Sequence, residues 1–385
     1  MTMTSSNGGR RDDAISAMLA ERIAAGDFPS AVYVVSEGGQ VVLADALGEA
    51  VREPRSYAAT FDTIYDLASL TKPLVTGLLC AQLTGRGRLE IERAVADYLP
   101  EFDREDKRGI TVRQLLTHTS GLPAWRPLYI VAGGGRERAL AVIAEQALEA
   151  TPGTRVIYSD LGFITLGFLL ERVVGAPLAK IARREIFEPL ELRRTFFNPD
   201  KAMQTEVAAC ESAGNAYERE MCGGGEEARS FSGWREQLIW CEVHDGNAHF
   251  LGGAAGHAGL FSTASETRRI AEQFLADSTR LLDPSICRLF RANLTEGLGE
   301  ARSFAWQLAE NVDSTAGPDL APESFGHLGF TGTSCWIDPV RRRIYILLTN
   351  RTHACALPFV NINGVRRRFH TLAAAALERS GETKP

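Results

Sequence analysis

Several signatures that announce a function are missing from this sequence. No Cys-x-x-Cys occurs. The seven cysteines, at 80, 210, 222, 241, 287, 335 and 355, follow no regular spacing. This excludes a zinc knuckle or thioredoxin-type motif and fits reduced thiols better than a disulfide framework. No Gly-x-Ser-x-Gly occurs either, which counts against an α/β-hydrolase elbow. Long apolar runs are absent. The longest, Leu161 to Val174, carries Thr165, Glu171 and Arg172, too short and too charged to span a bilayer. The polar stretch Met1 to Asp13 lacks the apolar core of a signal peptide, so a cytoplasmic location is expected, with no membrane partner. Positive charge has no surplus: 42 Lys and Arg face 48 Asp and Glu, for a net charge of −6. That balance disfavours nucleic acid as a partner, and the arginine clusters at 341–343 and 366–368 lack interleaved aromatics. His244, His249 and His257, with Asp245, do not have the spacing of a helical His-Glu-x-x-His. No metal or cofactor is expected.

Lysine is scarce, with five residues against 37 arginines. One of the five closes the chain's single Ser-x-x-Lys, Ser69-Leu70-Thr71-Lys72. An apolar helical stripe follows, with Leu70, Leu74, Leu78 and Ala81 on one face. Positions i and i+3 share a face, so the Ser69 hydroxyl and the Lys72 amine meet at the start of a buried helix. A Ser hydroxyl needs a neighbouring base to become a nucleophile. A lysine fills that role if burial or nearby cations lower its pKa. The same letters also describe an ordinary N-cap followed by a solvated lysine, and Pro73 suits either arrangement.

The rest of the chain reads as helices and strands in separate blocks. Residues 14–25 form an amphipathic helix. Ala31 to Ser36 and Gln40 to Leu47 read as strands joined by a Gly38-Gly39 turn, a hairpin signal. Helical patterns cover 69–84, 111–118, 136–150, 160–174, 177–187 and 265–276, and the glycine-rich stretch 205–260 is irregular. Strands return at Phe304 to Leu308, Thr333 to Ile337 and Arg343 to Leu348, before a last helix over 362–379. The expected fold is α/β in the α+β sense: an antiparallel sheet built from both termini and flanked by helices, plus a mostly helical inserted region. In residue terms, 1–13 is a disordered tail, 14–66 and 301–385 form a discontinuous sheet domain, and 67–300 is the helical region.

Two further segments carry chemistry. Tyr158-Ser159-Asp160 follows a turn and precedes the helix 160–174. A phenolate there, stabilised by a lysine ammonium, is a proton carrier, although a Tyr before a helix also serves as plain packing. Phe325-Gly326-His327-Leu328-Gly329-Phe330-Thr331-Gly332 leads into a strand. Its glycines open the backbone to a ligand. His327 suits contact with a substrate carboxylate or carbonyl, proton relay, or a purely structural place.

In this order the segments resemble the serine β-lactamase and penicillin-binding-protein superfamily, in particular its class C-like serine hydrolases. Ser69-Leu70-Thr71-Lys72 looks like the first family motif, which implies Ser69 as nucleophile and Lys72 as its base. Tyr158-Ser159-Asp160 looks like Tyr-x-Asn, with Asp160 departing from the asparagine. His327-Leu328-Gly329 aligns with Lys-Thr-Gly, with His in place of Lys. Leu115 to Leu122, Val243-His244-Asp245, Gly256 to Ser262 and Leu347 to Asn350 add to the likeness, which runs from about 14 to 378. The resemblance implies catalysis by Ser69, Lys72 and Tyr158, and substrate contacts from Asp160, His327, Gly329 and Phe330. It places the oxyanion hole at the N–H groups of Ser69 and Phe330. It implies a cofactor-free acyl-enzyme hydrolase acting on a small ester, amide or peptide-like substrate, esterase or D-amino-acid peptidase in type. A true β-lactamase or D,D-carboxypeptidase, and a non-catalytic sensor of the same fold, are the rivals.

Overall fold

The structure, a computed structural model, describes residues 9–381. Its strands are β1 (Ser30–Glu37), β2 (Gln40–Val51), β3 (Tyr57–Ala58), β4 (Tyr65–Asp66), β5 (Phe196–Phe197), β6 (Leu260–Ser262), β7 (Gln307–Leu308), β8 (Phe325–Leu328), β9 (Ser334–Asp338) and β10 (Arg343–Thr349). Seven of them form one sheet in the order β3-β2-β1-β10-β9-β8-β7. The β1–β2 hairpin closes at Glu37↔Gln40 on Gly38 and Gly39, with φ of +57° and +85°, the left-handed pair that a two-residue turn of this hand needs. β1 also pairs with β10, from Ala31↔Thr349 to Glu37↔Arg343, and this ladder joins the two ends of the chain.

Strand alternation sorts the side chains onto two faces. Ala31, Tyr33, Val35, Trp336, Tyr345 and Leu347 pack under the terminal helices Asp13–Ala24 and Asn363–Gly381 through Ile15, Leu19, Phe369 and Ala373. Val32, Val34, Cys335, Ile337, Ile344, Ile346 and Leu348 face the inserted helical region, where they join Leu74, Leu78, Leu166 and Leu170. The arrangement expected from the sequence is therefore present.

Four local expectations need correction. The lead-in is not disordered up to Asp13. Arg10 bridges to Leu43 beside β2, and Asp12 Oδ1 caps the first helix by accepting from the Ala14 and Ile15 N–H groups at 3.1 Å; residues 1–8 lie outside the described residues. β4 leaves the large sheet and pairs with β6 in a second, three-stranded sheet, β4-β6-β5. The strand expected over 304–308 shortens to β7. Phe325–Leu328, read as an approach to a strand, is itself strand β8, with Phe325↔Ile337 and Leu328↔Ser334. Gly326 and His327 break the apolar alternation that would have shown it. Glycine is required there because a Cβ would run into the Trp336 ring.

Candidate active site

The nucleophile turn is held from several sides. Ala68 has φ of +47°, unfavourable for a residue with a side chain. Its N–H donates to Asp66 Oδ1 at 2.8 Å, while Asp66 Oδ2 accepts the His244 N–H at 2.7 Å. Thr331 and Thr333, from the β8–β9 loop, donate their hydroxyls to the carbonyls of Asp66 and Leu67 at 2.7 and 3.0 Å. These bonds fix the loop containing Gly329 and Phe330 beside Ser69. The uniform helix expected over 69–84 is instead a 3₁₀ turn, Ala68–Leu70, a π-helical segment, Lys72–Gly77, and an α-helix, Leu78–Gly85. Pro73 supplies no N–H to the ladder. The widened segment is secured by Thr76, whose hydroxyl donates to the Gly256 carbonyl at 2.7 Å.

Lys72 is fully buried. Its Nζ donates to Ser69 Oγ at 2.9 Å and to the His257 carbonyl at 3.3 Å, and lies 2.7 Å from Asp160 Oδ1. Burial pushes the ammonium down, but Asp160 and Tyr158 outweigh it, and the net displacement is upward. The expectation that burial frees Lys72 as the resting base is thus not met. The resting site holds an ammonium donating to Ser69.

Tyr158 stands beside this ammonium, with Lys72 Nζ 4.9 Å from its ring centroid. Ser159 begins the following helix: its Oγ accepts the Gly162 N–H at 3.1 Å and donates to the Pro123 carbonyl at 2.7 Å. The Ser159 N–H donates to His118 Nδ1 at 2.9 Å, and the His118 ring lies 4.5 Å from the Tyr158 ring. His327 is 4 % exposed and does not line the cavity. It sits behind Tyr158, rings 5.9 Å apart, with Nδ1 donating to the Leu328 carbonyl at 2.9 Å. Burial, then Lys72 and Arg302, hold it well below the usual imidazole range. His327 is therefore a neutral neighbour of the tyrosine rather than the substrate contact the sequence implied.

Ser69, Tyr158, Asp160, Gly329 and Phe330 line one cavity of about 370 Å³. Among the described residues, no backbone acceptor takes the N–H of Ser69 or of Phe330, as an oxyanion hole requires. Sequence reasoning missed six polar lining residues as site members: Tyr217, Glu218, His244, Asp245, Arg351 and Arg366. Glu218 is buried, and desolvation together with the nearby Asp245 charge raises its carboxyl. His244 pairs with buried Glu211 at 2.9 Å, His257 pairs with Asp245 at 2.8 Å, and half-exposed His249 stands apart. The three histidines do not converge. Asp160, Asp245 and His257 do, with ligand atoms within 4.8 Å of one another, but the Lys72 ammonium already lies against Asp160.

The β-lactamase family model matches residues 15–358 of the chain. The chain belongs to the β-lactamase family. This family member is a serine hydrolase that works through an acyl-enzyme on an ester or amide. It is 30% identical over 358 residues to a putative D-alanyl-D-alanine carboxypeptidase of Escherichia coli, covering 85% of this chain and 79% of the relative. It is also 30% identical over 363 residues to an N-acetylmuramyl-L-alanine amidase of Bacillus subtilis, covering 87% and 80%. Among solved structures, the hydrolase EstCE1, with promiscuous acyltransferase activity, superposes with a TM-score of 0.71 at 21% identity, covering 92% of this chain and 97% of that one. A class C β-lactamase of Rhodobacter sphaeroides superposes with 0.71 at 19% identity, covering 95% and 100%. At these identities the structural likenesses speak to the fold.

Proposed function

We propose that the enzyme hydrolyses an amide bond in a small peptide-like substrate that carries a carboxylate beyond the scissile bond. Arg366 carries this reading. It is a buried arginine on the cavity wall, and among the described residues it has no acidic partner. Its guanidinium donates to the Gly329 and Thr333 carbonyls at 3.0 Å, and its Nε is unpaired. Burial, with Arg351 adding like charge, pushes it down to about 9, so it remains cationic at neutral pH. Arg351, also on the wall, rests over the Phe330 ring at 4.8 Å and likewise lacks a carboxylate partner among the described residues. Two buried or half-buried cations with no counter-ion favour an anionic ligand. Both curated relatives bear names of enzymes that cleave amides.

In this reading Lys72 holds and polarises Ser69, and Tyr158, acting as the phenolate, receives the hydroxyl proton as the Ser69 Oγ–carbon bond forms. The N–H groups of Ser69 and Phe330 stabilise the oxyanion, a contribution typically worth about 100- to 1000-fold per donor. The carbon–nitrogen bond then breaks with proton return to the leaving amine, and water releases the acyl group from Ser69. The test compares kcat/KM for an N-acyl-D-alanyl-D-alanine, an N-acetylmuramyl-L-alanine peptide and p-nitrophenyl butyrate. The amides should be turned over, and Arg351→Met should raise their KM by roughly 10- to 100-fold, the scale of one lost charged hydrogen bond, while leaving the butyrate unchanged. Hydrolysis of the neutral ester alone, insensitive to Arg351→Met, would establish an esterase instead.

A further inference from the structure

Tyr158 is enclosed by four basic groups, and they divide sharply by charge. Two are imidazoles whose tautomers follow from their hydrogen bonds. His118 Nδ1 accepts the Ser159 N–H, so its proton sits on Nε2; His327 Nδ1 donates to the Leu328 carbonyl, so its Nε2 is bare. Both Nε2 atoms are buried without a partner. Burial and the surrounding cations hold both rings well below the usual imidazole range, and neither contributes charge. The other two groups are cations. Lys72 Nζ lies 4.9 Å from the Tyr158 centroid, and the guanidinium carbon of Arg302 lies 5.3 Å from the same centroid.

Nothing in the proton transfer described above uses Arg302. It is 6 % exposed, does not line the substrate cavity, and leaves its Nε unpaired. Its backbone is clamped on both sides: its N–H donates to Thr295 Oγ1 at 2.8 Å and its carbonyl accepts the Leu294 N–H at 2.8 Å. Among the described residues its acidic partner is Glu300, at 2.6 Å and about one-third exposed. A surface carboxylate in contact with water screens that charge only in part.

We propose that Arg302 is a positioning residue for the chemistry. Its guanidinium, packed on the ring of Tyr158, stabilises the negative charge that the phenol oxygen carries when it exchanges a proton with Ser69, and Glu300 sets how much of that charge is felt. The inference rests on the reading of Tyr158 as the proton acceptor. The charged and titratable groups facing Tyr158 are Lys72 with its partner Asp160, Arg302 with its partner Glu300, and the two imidazoles. Of these, Arg302 and Glu300 can be changed without touching Ser69, Lys72 or the cavity wall.

The experiment measures the second-order rate of labelling by a fluorophosphonate between pH 5 and 10. It uses the wild type, Arg302→Met, Arg302→Lys, Glu300→Gln and Tyr158→Phe. A charge within ~4–6 Å ordinarily shifts a titration by one to three units, and partial screening by Glu300 places the effect at the low end. Arg302→Met should move the rising limb upward by about one pH unit, which slows labelling about tenfold at any pH on that limb. Arg302→Lys should bring the limb most of the way back, which lost packing alone would not do. Glu300→Gln should move it in the opposite direction, and this partly exposed site decides the matter if Arg302→Met does not fold. A limb that stays at its wild-type pH in Arg302→Met and Glu300→Gln overturns the inference, whatever happens to the maximal rate. Wild-type labelling by Tyr158→Phe overturns the underlying reading of Tyr158, a separate outcome from an unmoved limb in the arginine variants.

Discussion

Asp160 stands where the Tyr-x-Asn motif has asparagine, and its carboxylate explains the state of Lys72. With Nζ 2.7 Å from Asp160 Oδ1, the lysine keeps its proton in spite of complete burial. A carboxylate can only accept hydrogen bonds, whereas an asparagine also offers N–H donors to a substrate carbonyl. Asp160→Asn is therefore expected to raise kcat/KM for nitrocefin relative to p-nitrophenyl butyrate by about tenfold, the worth of one added hydrogen bond. An unchanged ratio would show that Asp160 does not govern the choice between lactam and ester. At this scale the sequence was readable where chemistry is packed into a few adjacent letters. Ser69 and Lys72 are three apart and do touch, and Tyr158 and Asp160 meet them. It was silent where a role depends on distant packing. Nothing around Arg302 or Arg366 in the chain shows that the first rests on Tyr158 or that the second lacks a counter-ion among the described residues. His327 was misplaced because a motif gives a position along β8 but not which side chains bury it.

At the scale of elements, the small-residue run Gly252 to Gly259 holds the site together although it forms no regular structure until β6. Gly256 passes against the helix Asp160–Val174 so closely that a Cβ would collide with the Phe163 carbonyl and approach the Gly167 nitrogen to 2.9 Å. From the same stretch, the Gly256 carbonyl accepts Thr76 and the His257 carbonyl accepts Lys72. The composition marked the stretch 205–260 as glycine-rich and irregular, but the partners of this run are non-local and could not be read from it. Gly256→Ala should cost stability at the upper end of the ~1–3 kcal/mol typical of overpacking. It should also slow acylation, because the carbonyl that receives Lys72 would shift. A denaturant midpoint matching the wild type would refute the close approach. The broken helix after Ser69 has a similar origin: the apolar stripe was legible, whereas the π-helical segment depends on Pro73 and on tertiary acceptors.

Across the whole molecule, one sheet made from both ends of the chain supports a helical insertion, and the site lies where the two meet. Ser69 comes from the insertion, Gly329 and Phe330 from the loop leaving β8, and Thr331 and Thr333 tie that loop to the nucleophile turn. The alternation of β1 and β10 made this architecture legible, since each strand sends one row of side chains to the terminal helices and the other to the insertion. The central claim is that this frame presents a single activated serine. Reaction of the intact protein with a fluorophosphonate, followed by intact-mass measurement and peptide mapping, tests it most directly. One adduct per chain is expected, located on Ser69 and lost in Ser69→Ala while the circular dichroism spectrum is unchanged. An adduct on another serine, or undiminished labelling of folded Ser69→Ala, would contradict it.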